Sequence, residues 1–79
     1  MIMIKILGPG CSNCKKLEEV VNKAVTATGV QASITKVTAQ KEILSYDILS
    51  TPALVINGKV VSSGRIPGPV EIAQWLTAA

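Results

Sequence analysis

The sequence predicts an α/β domain with the element order β-α-β-α-β-β-α, folded as a mixed four-stranded sheet with helices on both faces. Three observations carry this. An apolar, largely β-branched run, Ile2-Met3-Ile4-Lys5-Ile6-Leu7, is followed directly by a helical pattern. A half-polar alternating run and a shorter helical stretch repeat that arrangement. Two further apolar runs, separated only by Asn57-Gly58, then precede a last helical segment opening at Pro69.

Each element has its own warrant. Residues 2–7 are apolar enough for a buried central strand, and Gly8-Pro9-Gly10 turns the chain. From Ser12 to about Thr28 the spacing is helical: Cys14, Leu17, Val21, Ala24 and Thr28 share one face, while Lys15, Lys16, Glu19 and Lys23 turn toward water. Gly29 is a natural C-terminal stop. Residues 31–37 alternate as a half-exposed strand. Thr38 is placed to cap a short second helix whose apolar side is Ile43, Leu44 and Ile48, and Ser50-Thr51-Pro52 interrupts it. Ala53 to Ile56 and Lys59 to Ser62 read as a hairpin, because Asn57 and Gly58 both tolerate positive φ. After a loop at 63–68, the last helix has Ile72, Ala73 and Leu76 inside. Strands separated by helices are expected to pair in parallel, and the hairpin strands antiparallel.

Length and composition bound the function. Seventy-nine residues make one domain, 1–79, and with one Trp, one Tyr and no Phe its core must be aliphatic. So little aromatic surface argues against a base-stacking platform. The net charge of +3 is scattered, with Lys15, Lys16 and Lys23 on the first helix and the other five basic residues spread from Lys5 to Arg65. That distribution describes a solvated surface, and no nucleic-acid partner is expected. Histidine is absent, which removes the usual general base and the commonest metal ligand. No targeting segment is visible and no apolar run approaches the roughly 18 residues of a membrane span, so a cytoplasmic protein without a membrane partner is expected, with a monomer as the default.

The chemistry concentrates in Gly10-Cys11-Ser12-Asn13-Cys14, which holds both cysteines of the chain at the mouth of the first helix. A Cys-x-x-Cys there suits reversible dithiol/disulfide exchange. Free cysteine has a pKa of about 8.5, and a helix N-terminus lowers it toward roughly 3.5–7.5. Cys11, in the first turn, is the candidate nucleophile. Cys14 should face inward with Leu17 and resolve the mixed disulfide. Three other readings use the same sulfurs: an inert structural pair, a carrier of Cu(I) or of Zn shared with a second subunit, and a redox-sensing docking module.

Thr51-Pro52 adds a second anchor, since a proline opening a central strand lacks the N–H that the ladder needs. Together, Cys-x-x-Cys at a strand–helix junction and Thr-Pro before the third strand resemble the thioredoxin fold. The run from Ser50 to Val61, ending at Gly64-Arg65, resembles more closely the small prokaryotic thioredoxin-like proteins, often labelled glutaredoxin-like or redox-active disulfide proteins. The likeness spans nearly the whole chain. It implies a thiol–disulfide oxidoreductase with Cys11 as nucleophile, Cys14 as resolving cysteine and Pro52 as the cis-proline opposite them. Thr51 matches the residue whose backbone pairs with an extended substrate. No organic cofactor or metal is implied; the partners are protein disulfides and a dithiol reductant or reductase.

The sequence also departs from that pattern. Gly10 stands where typical thioredoxins carry a tryptophan, and Lys5, six residues before Cys11, stands where they keep a buried acid. The Gly-Gly-x-Asp segment with which glutaredoxins hold glutathione is missing; Ser62-Ser63-Gly64-Arg65 is nearby instead. Small heavy-metal-binding domains also place Cys-x-x-Cys between a strand and a helix. They carry a methionine where this chain has Pro9 and finish on a strand, whereas this chain finishes on a helix.

Overall fold

The apolar runs and helical faces assemble as a four-stranded sheet in the order β2-β1-β3-β4. The computed structural model describes every residue except Pro9, Gly10, Cys11, Asp47, Leu49 and Ala79. Its elements are β1 (Ile2–Leu7), α1 (Ser12–Thr28), β2 (Ala32–Val37), α2 (Gln40–Leu44), β3 (Ala53–Ile56), β4 (Lys59–Ser63) and α3 (Pro69–Ala78).

β1 pairs in parallel with β2, with Ile4 opposite Ile34 and Leu7 opposite Val37. On its other side β1 pairs with β3, and here the expectation of parallel pairing is corrected: β3 runs antiparallel, with Leu7 opposite Ala53 and Ile4 opposite Ile56. The reason is the length of α2. Five helical residues rise about 7.5 Å, whereas the six residues of β2 cover about 20 Å. A helix that short cannot carry the chain back along the sheet. The chain therefore enters β3 at the end where it left β2.

The hairpin closes as expected, with Asn57 at φ 51° and Gly58 at φ 81°. The β3–β4 register shifts between Leu54 and Val55, leaving Val61 as the additional residue of a bulge. Asn57 also ties the hairpin to β1: its N–H donates to Met3 O at 2.7 Å, and Met3 N–H donates to Asn57 Oδ1 at 2.9 Å.

Alternation sorts side chains onto the two sheet faces. Ile4, Ile6, Leu54 and Ile56 pack against Leu17, Val21 and Ala24 of α1 and Ile72 and Leu76 of α3. Leu7, Ala53 and Val55 face the other way, where Val37 and Ile43 cover them and Tyr46 and Ile48 pack alongside. Helices thus lie on both faces, and β3 is buried on both sides. The second helix differs from expectation in three details. It ends at Leu44 with Ser45 as its C-cap, so Ile48 lies beyond it. Its N-cap is Ala39, with no side-chain capping bond, so Thr38 does not cap it. Leu44 is 72% exposed, because a helix of under two turns presents only Ile43 to the sheet. Thr28 is half-buried, its hydroxyl donating to Ala24 O at 2.9 Å in the last turn of α1. Gly29 ends that helix at φ 68°.

Candidate active site

The site forms where β1 ends. Gly8 continues the β1–β2 seam by donating its N–H to Val37 O at 3.0 Å. Its missing side chain is what the local packing requires. A Cβ on Gly8 would overlap Cys14 Sγ, lie 3.3 Å from Cys14 Cβ and reach 4.0 Å from Pro52 Cα. Cys14, the third residue of α1, therefore sits against backbone that any larger residue would push away. It is 6% exposed and disulfide-bonded. Burial of Cys14 follows from its place on the Leu17-Val21-Ala24 face.

Pro52 approaches from β3. The Thr51–Pro52 peptide bond is cis, Pro52 is buried and Thr51 is exposed. Pro52 O accepts the N–H of Gly64 at 2.9 Å, which links the entry of β3 to the end of β4. Gly64 has φ 73°, and a Cβ on it would run into Ser50 Oγ. The structure thus brings Cys14 and Pro52 together across Gly8. Thr51 lines a neighbouring cavity of about 260 Å³ whose apolar wall is Ile43, Leu44 and Ile48. Cys11, like Pro9, lies outside the described residues.

Charge around Cys14 is mainly positive. The first turn of α1 contains no acidic residue, and Lys15 and Lys16 are exposed beside it. The unpaired N–H groups of a helix start and its dipole both favour an anion there. A second cavity, of about 110 Å³, is lined by Cys14, Lys15 and Glu18 of α1, Ile6 and Gly8 at β1, and Lys36 and Thr38 at β2. Glu18 Oε2 is 3.2 Å from Lys36 Nζ.

Lys5 belongs to the opposite face of the sheet. Its ammonium donates to Tyr46 Oη at 3.0 Å and lies 5.7 Å from the centre of that ring. The hydrogen bond to Tyr46 raises the Lys5 pKa above the usual lysine value. Sequence reasoning did not anticipate Gly8 as a packing requirement, nor either lysine contact. The only local signal was for Gly8, a glycine ending a buried strand. The Lys5–Tyr46 and Glu18–Lys36 contacts join separate elements. Among the described residues, no three His, Cys, Asp or Glu side chains cluster as a metal site would require.

The family model described as "Thioredoxin domain" matches residues 2–77. The chain belongs to the thioredoxin-domain family. It is similar to the Thioredoxin of Methanocaldococcus jannaschii, with 38% identity over 76 residues, covering 96% of this chain and 87% of that one. It is 32% identical over 77 residues to the Thioredoxin of Methanothermobacter thermautotrophicus, covering 98% of this chain and all of the relative. Among solved structures, thioredoxin-2, a component of malaria parasite protein secretion machinery, superposes with a TM-score of 0.76 at 10% identity, covering 100% of this chain and 84% of that one. The thioredoxin of Malassezia sympodialis gives 0.67 at 19% identity, covering 98% and 73%. At those identities the structural likeness shows the fold. The family and its named relatives make this member a thiol–disulfide oxidoreductase. Among the described residues, no helix is long and apolar enough to cross a membrane.

Proposed function

We propose that Cys11 and Cys14 are the dithiol/disulfide couple of this oxidoreductase, and that its substrates are protein disulfides. The observation that carries the reading is the state of Cys14: a buried sulfur at the start of a helix, disulfide-bonded, and packed against Gly8 beside Pro52. The chain has one other cysteine, Cys11, which is the proposed bonding partner.

In the proposed cycle the Cys11 thiolate attacks one sulfur of the substrate disulfide. A Cys11–substrate bond forms, the substrate S–S bond breaks, and its electron pair leaves with the other substrate sulfur. Cys14 then attacks Cys11. The Cys11–Cys14 bond forms and the second substrate thiolate departs, so the substrate is reduced by two electrons and the couple oxidised by two. A dithiol donor or reductase restores the starting state. Thr51, exposed next to buried Pro52, presents backbone with which an extended substrate segment pairs. No organic cofactor enters this scheme, and the proposed setting is a monomer in the cytoplasm.

A redox titration of the protein as purified, with and without a chelator, counting alkylated thiols by mass at each poise, tests the reading. The expected result is a reversible two-electron midpoint between about −270 and −120 mV, the range of exchange catalysts. Cys11→Ser should abolish exchange, and Cys14→Ser should accumulate mixed disulfides. A midpoint below about −300 mV would mark a structural bond. Dithiols that resist oxidation until a chelator removes a tightly held metal would mark a carrier. Either result overturns the proposal.

A further inference from the structure

Resolution of the mixed disulfide requires the Cys14 thiol to lose its proton inside the protein, and the small cavity beside it holds one carboxylate suited to receive it. We infer that Glu18 takes the proton from Cys14 across this cavity. The inference rests on the reading of Cys14 as the resolving sulfur.

Four observations converge. Cys14 and Glu18 are i and i+4 on α1, one turn apart on the same side of the helix. Both line the same cavity of about 110 Å³, which has volume for more than one water to bridge sulfur and carboxylate. Lys36 reaches across from β2, where it stands opposite Ile6, and holds Glu18 Oε2 at 3.2 Å. Finally, Glu18 is the carboxylate among the cavity's described lining residues. Glu71 is engaged with Arg65 at 3.0 Å, Glu42 belongs to α2 on the far face of the sheet, and Glu19 is exposed.

The charged groups facing the cavity work in one direction. Lys15 and Lys36 contribute two positive charges against the single negative charge of Glu18, while Ile6 and Gly8 of β1 contribute none. Lys5 points to the other face and is held by Tyr46. The Lys36 ammonium, 3.2 Å from Glu18 Oε2, fixes the carboxylate on the cavity wall. Once the proton moves, the cavity retains two ammonium groups to stabilise the nascent Cys14 thiolate. The thiolate attacks the Cys11 sulfur, the Cys11–substrate bond breaks, and the departing substrate thiolate takes a proton from the Glu18 carboxyl or from solvent. Protons and electrons balance, with the substrate disulfide as oxidant.

The test separates the two steps with an aromatic disulfide, 5,5′-dithiobis(2-nitrobenzoate), as probe. One thionitrobenzoate is released when Cys11 attacks and a second when Cys14 resolves. In Glu18→Gln the first release should keep its wild-type rate. The second should slow by on the order of 10²-fold near pH 7 and recover toward wild type as pH rises above about 9, where solvent removes the thiol proton. Glu18→Ala provides the independent check: added formate should restore its second release in proportion to formate concentration. A second release in Glu18→Gln at the wild-type rate at every pH would overturn the inference, as would a slowing that is uniform with pH and insensitive to formate in Glu18→Ala. If Cys14→Ser also gives an undiminished second release, the assignment of Cys14 itself fails. That failure is distinct from loss of Glu18's role alone.

Discussion

Gly8→Ala tests whether backbone contact at the end of β1 sets the properties of the proposed redox centre. The added Cβ would overlap Cys14 Sγ and lie 3.3 Å from Cys14 Cβ; its 4.0 Å approach to Pro52 Cα is ordinary van der Waals contact. Cys14 is therefore the residue that must give way. The backbone does not oppose the change, since Gly8 is not among the described glycines with positive φ. Overpacking a filled interior costs about 1–3 kcal/mol. Stiffening the unfolded chain by replacing glycine returns about 0.4–1 kcal/mol. The net loss expected in the disulfide-bonded form is thus about 0–2.6 kcal/mol, centred near about 1.3 kcal/mol, and at about 4–8 °C per kcal/mol for a domain of this size that central value is visible in a melting curve.

The redox consequence has a definite sign. In the oxidised form the Cys14 sulfur is pinned by its bond and cannot turn aside. In the dithiol it can rotate about χ1 and relieve the clash. Gly8→Ala should therefore destabilise the oxidised state more than the reduced state and move the midpoint to a more positive potential. Each 1.4 kcal/mol of difference corresponds to about 30 mV for this two-electron couple. Thermal or urea denaturation of both redox forms, combined with thiol counting across a titration, measures each quantity. An oxidised Gly8→Ala protein as stable as wild type, or a midpoint shifted negative, would refute the packing argument.

Three further outcomes are expected. Leu54→Ala removes a fully buried side chain from the middle of the sheet and should cost about 2–5 kcal/mol, read by urea denaturation at fixed redox state. Gly58→Ala places a Cβ at φ 81° and should cost about 1–2 kcal/mol through the turn alone, with nothing near enough to clash. Tyr46→Phe keeps the ring near the Lys5 ammonium and removes its hydrogen-bond acceptor, so the Lys5 pKa should fall back toward 10.5, followed by NMR of its side chain. Because that pKa is raised in the folded protein, the stabilisation from the hydroxyl is complete at neutral pH and lost as pH rises through the raised value. The stability gap between wild type and Tyr46→Phe should narrow above pH 10.5 and not below it.

Most of the fold was legible because most of its signals are local. Cys14, Leu17, Val21 and Ala24 lie at helical spacing, and all four are buried. Asn57-Gly58 is a turn whatever surrounds it, and Pro69 opens α3. The direction of β3 was not legible, since it follows from how few residues of 38–52 form a helix. That in turn depends on Ile43 finding Val37 and Ala53 across the sheet. Periodicity identified the helix but could not show that Leu44 would be left in solvent.

The site divides along the same line. Cysteine and proline announce their chemistry by residue type, so Cys11, Cys14 and Pro52 could be singled out from the chain, whereas Thr51 was named through the family resemblance. Proton handling carries no such label. Glu18 borders the apolar face of α1, where helical spacing assigns it neither to core nor to solvent. It acquires a partner because the parallel β1–β2 register sets Lys36 beside Ile6, along the wall of the cavity that Cys14 also lines. Lys5 shows the converse. Its distance from Cys11 in sequence suggests the place of a buried acid, yet strand alternation turns it to the face where Tyr46, 41 residues away, receives it. A sequence position therefore carries a chemical role only when sheet face and register deliver the side chain to the reacting atoms. In the proposed cycle that condition favours the glutamate on α1 over the residue on β1.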